Sequence, residues 1–595
     1  MNYSGYFSKI DSTKVPTLNV TLKAEDNSSF NCDNMFTEGK FNVINFNNIN
    51  GVTTDSVITS FSSKNIFKTT TSNTLNFTID NVVCENVDLS SAFEDATIEN
   101  LTFTAKSIKN GYKMFKNAQI GTVTKLNIES IKNGNEAFAD STITTIGTAD
   151  GQGINLTNTT SAHKMFENCS SITTTHPLTL DALQDASFMF AFSSTPHLEI
   201  ISIPFTKVES MFEGAAQLDY AFIAEDIEVD EENTLKRIDN LSSASTLKNL
   251  FKGCINLSHP AKGFEAINAE VITRAESQNI QSVPYHLNVS TATSLESAFE
   301  ECTKMKFIDI YAPSATSIRS AFKNCTAIER IGLECPNLID GSSAFEECYN
   351  LKEIDLTETF ATGSTAKLIN GENMFKGCSV KFKVDKTNCS WASLEIGNGM
   401  FSEMTVPTSI DETKHLSFSD NWDFTKLVLG RDMFKNTSIA SVQMNLKKLQ
   451  DGCGMFKNTN LTTIDTEIEK QLDSLVTALD MFSGCALDLD SVQGVVQCLK
   501  NNSGLTETNT TNKTFEPLLS NSAKALITNY DGTKYNDNDC IGVMTIDCNV
   551  ADFESLINNL AEFTTEIIEQ TATSAHITVT NVNNAVWNVY INKNN

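Results

Sequence analysis

Seventeen phenylalanines, each preceded by a methionine, alanine, isoleucine or leucine, return at near-regular intervals along this chain, and a recurrence of that kind leaves few folds open. The series runs from Met35-Phe36, Ile66-Phe67, Ala92-Phe93 and Met114-Phe115 to Met433-Phe434, Met455-Phe456 and Met481-Phe482. Neighbouring rings lie 22 to 48 residues apart with a base period of 22–23, so the longer gaps read as insertions into a common unit. A chain of 595 residues would otherwise divide into several globular domains of about 100–200 residues each. A fixed period points instead to stacked supersecondary units, none of which can bury its apolar side alone.

Three copies show the unit most plainly: Ser297-Ala-Phe-Glu-Glu-Cys302, Ser320-Ala-Phe-Lys-Asn-Cys325 and Ser343-Ala-Phe-Glu-Glu-Cys348. Each leads into a stretch of strand character, Met305–Ile310, Ile328–Leu333 and Leu351–Leu356, in which apolar residues fall at the first, fourth and sixth places. In the last of these Ile354 and Leu356 alternate around Asp355, which places both inward and the carboxylate outward. Leu295 and Phe299 stand four apart, a helical spacing, so the unit is expected to be a short helix or 3₁₀ turn, a strand and a return loop. Seven cysteines (Cys169, Cys254, Cys302, Cys325, Cys348, Cys378 and Cys485) sit three places after the marker ring. One interior slot used repeatedly accounts for them as reduced, buried thiols without a disulfide framework. Strands about 4.8 Å apart over seventeen units would make a rod or arc of roughly 80 Å.

The unit, as in Met374-Phe-Lys-Gly-Cys378 and Ala344-Phe-Glu-Glu-Cys-Tyr-Asn-Leu-Lys-Glu-Ile-Asp-Leu356, resembles the BspA-like leucine-rich repeats of bacterial surface proteins over roughly residues 30–490. That resemblance implies a parallel β-sheet solenoid used to bind proteins or surfaces. The segment Met481–Val492 is also similar to the last-repeat boundary of leucine-rich repeat proteins encoded by gut bacteriophages. The first residues, Met1–Lys9, show no basic stretch followed by an apolar one, and no apolar run approaches the length of a bilayer span. The resulting expectation is a soluble chain that does not leave the cell by the usual route, which separates it from the surface proteins it resembles.

Three regions are expected: a cap or anchor strand within residues 1–30, carried by Thr17–Lys23; the solenoid over 31–490, with insertions around 223–296; and a small α+β domain over 491–595. The run Ala224–Asn233 reads as an acidic, solvated loop, with a docking site for a basic partner as the sharper alternative. In the C-terminal region, Val492, Val495, Val496 and Leu499 mark a capping helix over Ser491–Asn501, and Asn501–Lys513 reads as loop. A second helix is expected over Asp552–Gln570, followed by a hairpin from Ala575–Thr580 through Asn583-Asn584 to Trp587, Val589 and Ile591.

The search for chemistry returns little. The seven histidines are scattered without metal or catalytic spacing, and each is expected on the surface or in a loop. There is no C-x-x-C pair, and Gly151-Gln-Gly153 and Gly397-Asn-Gly399 lack the lysine or third glycine of a phosphate-binding loop. The Asp531–Asp539 run has alternating oxygen side chains but not the glycine and glutamate of a calcium loop, so it reads as an ordinary polar loop. Asp309, Asp355 and Asp465, interleaved with Lys306, Arg330 and Lys352, read as a mixed solvated stripe. Glu562 and Glu566 are the one carboxylate pair that could suggest glycoside hydrolysis, and they fit an exposed helix face equally well.

With 44 Lys and Arg against 73 Asp and Glu, the net charge of −29 disfavours nucleic acid and anionic membrane surfaces as partners. No catalytic, cofactor-binding or metal-binding residue and no cofactor is therefore assigned. The expectation is a non-enzymatic structural or adhesive component of a bacteriophage particle: a tail or head appendage, fibre or decoration protein. It would contact other virion proteins or a host cell-surface molecule, with self-association open and no insertion into membrane. A bacterial cell-surface or secreted adhesin of the same repeat type is the alternative.

Overall fold

In the computed structural model the marker rings within each of two compact units stack one on the next, held by a backbone turn that is not helical. The structure describes residues 1–14, 16–23, 29–50, 57–79, 83–84, 86–149, 152–223, 225–230, 233–262, 287–355, 367–379, 381–383, 391–405, 424–442, 445–464, 472–527 and 539–594. The chain forms two compact units, Met1–Tyr311 and Ala312–Asn595.

Each turn begins from the residues on either side of its ring. For Phe36 these are Asn34 and Glu38, two places before and after, and both adopt the left-handed conformation, with φ of 56° and 59°. The same pair of positions is left-handed around all seventeen rings of the series, from Asn65 and Thr69 about Phe67 to Asp480 and Gly484 about Phe482. Asparagine, aspartate, serine and glycine recur there because they meet that conformation at least cost. The consequence is an alternation of amide directions. The N–H groups of Asn34, Phe36 and Glu38 donate to carbonyls of the next rung (Lys64, Ile66 and Lys68) at 2.8, 2.8 and 3.0 Å. Those of Met35, Thr37 and Gly39 close turns within the rung, onto Cys32, Asn34 and Phe36. The expected helix or 3₁₀ segment is thus corrected to a ribbon of consecutive turns. A helix would point every amide along its own axis and leave neighbouring rungs unjoined. Leu295 and Phe299 are both buried, but through turn geometry rather than a helical face.

The rings form an unbroken column within each unit. From Phe36 through Phe67, Phe93, Phe115 and Phe138 the centroids are 5.0, 5.2, 4.5 and 5.4 Å apart and nearly parallel. The second unit repeats this from Phe322 through Phe345, Phe375 and Phe401 at 5.7, 5.4 and 5.9 Å. One turn escaped the sequence reading: Phe7, flanked by left-handed Gly5 and Lys9, stacks on Phe36 at 5.4 Å. Its preceding residue is Tyr6, outside the aliphatic set that defined the series.

The cysteine slot has a specific partner. Cys169, Cys348, Cys378 and Cys485 direct Sγ at the carbonyl of the previous rung's marker phenylalanine, at 3.0, 3.1, 2.9 and 3.1 Å. Thr70 does the same with its hydroxyl at 2.7 Å, so the slot selects a small side chain with a weak donor rather than sulfur chemistry. All fourteen described cysteines are buried free thiols. Burial pushes the Cys169 thiol up to about 12 and the Cys254 thiol higher still, so neither is a nucleophile at neutral pH.

Parallel strands follow the turns. In the first unit β1 (Leu18–Lys23), β2 (Lys40–Asn50), β3 (Thr71–Ile79), β4 (Thr97–Ala105), β5 (Gln119–Ile128) and β6 (Gln152–Ile154) pair in that order, each parallel to the next. A second parallel ladder of two- and three-residue strands, from Ser29–Asn31 to Ile131–Asn133, precedes the turns. Further along, β7 (Leu178–Leu180), β8 (Ile200–Ser202), β9 (Phe222–Ile223) and, after an insertion, β12 (Ala261–Lys262) make a short parallel sheet. The insertion holds β10 (Glu225–Asp230) and β11 (Asn233–Arg237), an antiparallel pair, so the expected acidic loop is a hairpin. β13 (Leu287–Asn288) and β14 (Phe307–Tyr311) complete the unit.

The second unit opens on β15 (Arg330–Glu334), β16 (Glu353–Asp355) and β17 (Lys381–Lys383), again parallel. It closes on β18 (Ala478–Leu487), α1 (Leu489–Asn501), α2 (Glu507–Asn512), α3 (Asn521–Leu526), β19 (Val543–Cys548), α4 (Phe553–Leu560), β20 (Glu566–Gln570), β21 (Ser574–Thr580) and β22 (Val586–Lys593). The sheet order β18-β19-β22-β21-β20 joins the last rung directly to the C-terminal strands, and Asp547 of β19 accepts the exposed N–H of Gly484 at 2.7 Å. α1 matches the expected capping helix, with Asp488 as its N-cap.

Two expectations in this region are corrected. The stretch read as loop contains α2, started by a reciprocal cap between Thr506 and Asn509. The helix expected to reach Gln570 stops at Leu560, and the β-branched residues Thr564, Thr565, Ile567 and Ile568 favour β20 instead.

The residue six places before the ring differs between the units. In the first it is buried and apolar at Phe30, Phe61 and Val87, then exposed and polar at Lys109, Lys132, Thr160, Gln184, Thr206, Ser245 and Thr293. In the second it includes Ile339, Ile369, Val428 and Val476, and the segment around α3 lies across it. Leu519 and Ala523 pack on Ile396, Val428 and Leu429, while Leu518 N–H donates to Gln450, Ser520 N–H to Glu395, and Arg319 to the Leu526 carbonyl. This strap covers part of the apolar column of the second unit, at Ile369 and Val428.

Candidate binding surface

The histidines, carboxylates and glycines weighed in the sequence do not converge. His259, two residues before β12, is buried rather than at the surface: its Nδ1 accepts the Ala261 N–H at 3.3 Å and its ring packs 5.7 Å from Phe307. His163, His176, His197 and His576 are half-buried, and His286 and His415 lie outside the described residues. Glu562 follows α4 and Glu566 begins β20, both on open surface. Among the described residues no group of three His, Cys, Asp or Glu side chains could hold a metal ion. Most of Asp531–Asp539, together with Asp465, Gly151 and the side chain of Asp355, lies outside the described residues. Asp309 is almost fully buried, so it is not part of a solvated stripe. No helix among the described residues is long and apolar enough to cross a membrane.

The charged side chains along the turns are already paired between rungs. Lys68 meets Glu94 at 2.7 Å, Lys457 meets Asp480 at 2.7 Å, and Glu346 sits between Lys323 at 2.9 Å and Lys376 at 3.3 Å. Burial alone would raise the Glu346 carboxyl, but hydrogen bonds from Lys323 and Ser343 and the charges of both lysines outweigh it and hold the group below its ordinary value. A carboxylate depressed in this way stabilises the fold fully above its unfolded value of about 4.3 and loses that contribution as pH falls through the folded value. Glu346→Gln should therefore flatten the acid limb of stability below about pH 4.3 relative to wild type, measured by urea unfolding across pH. An unchanged acid limb would show that the pairing contributes nothing.

What distinguishes one surface from the rest is the outward face of the sheets. In the long sheet this face is amide and hydroxyl: Asn19, Asn45, Asn76 and Thr102 stand in register on β1 to β4. The amides are tied to each other, with Asn76 donating to Asn45 and Asn45 to Asn19, each at 2.7 Å. The short sheet breaks this rule. Ile201 of β8 is 48% exposed, Ile203 just beyond it 42%, and Ile223 of β9 38%. Register places Thr179, Ile201, Ile223 and Lys262 in one outward row across β7, β8, β9 and β12. The inward row, Leu178, Ile200, Phe222 and Ala261, is buried.

Polar groups border the isoleucines. Tyr220 packs against His197 with centroids 5.3 Å apart, and Lys262 lies 5.9 Å over the Tyr220 ring while pairing with Glu199. The β10–β11 hairpin comes next in the chain after β9. An apolar centre with a polar margin is the layout of a protein-binding patch. Each isoleucine left in water forfeits up to about 1.5–3 kcal/mol that burial would return, so the row is costly unless something covers it in use.

A search of the curated proteins finds no match to this chain. Residues 275–404 match the family described as BspA type Leucine rich repeat region, in six copies, so this stretch is similar to BspA-type leucine-rich repeats.

Proposed function

We propose that this is a non-enzymatic binding protein that recognises a macromolecule through the first unit, with the Ile201–Ile203–Ile223 row as the centre of contact. The observation that carries the reading is the exposure of those three isoleucines on a face that is elsewhere built from asparagine and threonine. Repeats of the matched type resemble those of bacterial surface proteins, which favours adhesion to a protein or cell surface. The place we infer is a bacteriophage particle, as a tail or head appendage, fibre or decoration protein touching other virion proteins or a host surface molecule. Buried free thiols support assembly in a reducing cytoplasm, since the fold uses no disulfide among the described residues. A cell-surface or secreted bacterial adhesin is the second reading, favoured by the repeat family itself.

Two experiments test this. Immunogold labelling of purified particles, set against protease shaving of intact bacteria, separates virion from cell surface. Label absent from particles and protein stripped from cells would overturn the virion reading. For the surface, the double change Ile201→Lys and Ile223→Lys should weaken binding of the purified protein to its particle or host cell about thirty-fold, or about 2 kcal/mol, as expected for the centre of an interface. Both positions are exposed, so thermal unfolding should stay at the wild-type temperature. Undiminished binding by a folded double variant would remove the row from the contact.

A further inference from the structure

The sheet that closes the second unit ends on an open strand. β20 is the last strand in its order, antiparallel to β21 on one side, and among the described residues nothing pairs with its other edge. All five of its residues are exposed, including Ile567 at 40% and Ile568 at 51%, and the pairing with β21 skips Ile568. Soluble proteins protect such edges because the free N–H and C=O groups template pairing with another chain. Here the protection is partial and has one sign. Glu566 and Glu569 lie on the strand and Glu562 just before it, and none of the three forms an ion pair among the described residues.

We propose that β20 is a docking edge for an extended segment of a second protein in which lysine or arginine alternates with aliphatic residues. Main-chain hydrogen bonds along the open edge would supply the pairing, the isoleucines the apolar contact and the glutamates the choice of a basic partner. Pairing with a second copy is disfavoured by the same carboxylates, which would face each other on a chain of net charge −29. This site belongs to the second unit, whereas the isoleucine row belongs to the first. The protein would then have one surface for recognition and another for attachment.

The test uses the full chain and hydrogen exchange read by mass spectrometry. The probes are two end-capped peptides, one alternating lysine and valine, the other glutamate and valine. The Lys/Val peptide should slow exchange across 566–570 by about ten-fold, an effect that should fade toward about 1 M salt, and the Glu/Val peptide should do nothing. Glu566→Lys with Glu569→Lys, both at exposed positions, should reverse that preference while thermal unfolding is unchanged. No protection by either peptide, equal protection by both, or protection arising in the protein alone as its concentration rises would each overturn the proposal. Protection at 200–237 but not at 566–570 would overturn it while leaving the isoleucine row intact.

Discussion

Phe93→Ala should cost the first unit about 3–5 kcal/mol, the range for deleting a fully buried aromatic side chain. The ring has no exposed surface, stacks on Phe67 at 5.2 Å and on Phe115 at 4.5 Å, and meets Phe77 and Phe103 edge-on at 5.6 Å each. Removing it empties a slot lined by four other rings that cannot close up, because Phe67 and Phe115 are fixed by the turns of their own rungs and Phe77 and Phe103 by the paired strands β3 and β4. Stability in a stacked array is a sum over rungs and the contacts between neighbours, so the loss falls on two interfaces at once. Guanidinium unfolding should show an early transition for the residues around the substitution. The control is Ile201→Ala, an exposed position expected within about 0.5 kcal/mol of wild type. A Phe93→Ala midpoint indistinguishable from that control would mean the aromatic column does not hold the rungs together.

The column itself was legible in the sequence because ring and cysteine recur at fixed offsets, and burial demands that regularity. The turn was not, and the reason is instructive. Leu295 and Phe299 are both buried, and a spacing of four is compatible with a helix or with turns that alternate right- and left-handed residues. The deciding signal was the asparagine, serine, aspartate or glycine at many of the positions two before and two after the ring, such as Asn34, Asn65, Asn117 and Asn168. Those residues meet a backbone requirement, the left-handed conformation that the turn imposes. Similarly, α2 announced itself only through Thr506 and Asn509, inside a run polar enough to pass for loop.

The binding row was hidden for a different reason. In Leu198-Glu-Ile-Ile-Ser-Ile203 every aliphatic residue suits a strand core, and only pairing tells which of two adjacent isoleucines points out. The strap over the second unit follows the same logic. Ile339, Ile369, Val428 and Val476 stand where the first unit has Lys109, Lys132, Thr160 and Gln184, a contrast visible once the ring defines the register. What covers them comes from more than a hundred residues further on in the case of Ile369, a distance that no local pattern spans.

The remaining large effect concerns how the second unit is closed. Asn502 is fully buried at the end of α1, and its Nδ2 donates to the carbonyls of Leu472, Leu475 and Asp473 at 2.7, 3.0 and 3.1 Å. Its Oδ1 accepts the Leu505 N–H at 3.0 Å and the Asn581 amide at 3.2 Å, and Asn581 in turn accepts the N–H groups of Asn583 and Ala585. One amide therefore ties the approach to the last ring, the capping helix and the β21–β22 turn. The Leu472 and Asp473 carbonyls keep backbone N–H donors, so Asn502→Ala strands the Leu475 carbonyl and the Leu505 N–H, and at about 1–3 kcal/mol for each buried group a loss of at least about 2 kcal/mol is expected. Asn502→Asp should be worse at neutral pH, since it sets a buried carboxylate against those carbonyls, and its pKa must rise for the fold to survive. An acid whose folded value lies above its unfolded value of about 3.9 destabilises increasingly as pH climbs past the latter, so the Asp variant should recover part of its deficit on acidification and the Ala variant should not. Hydrogen exchange at 472–475 and 581–585 should accelerate together in both. If the two segments respond separately, or the Asp variant unfolds like wild type at neutral pH, the amide is a passenger and the closure rests on α1 and β19 alone.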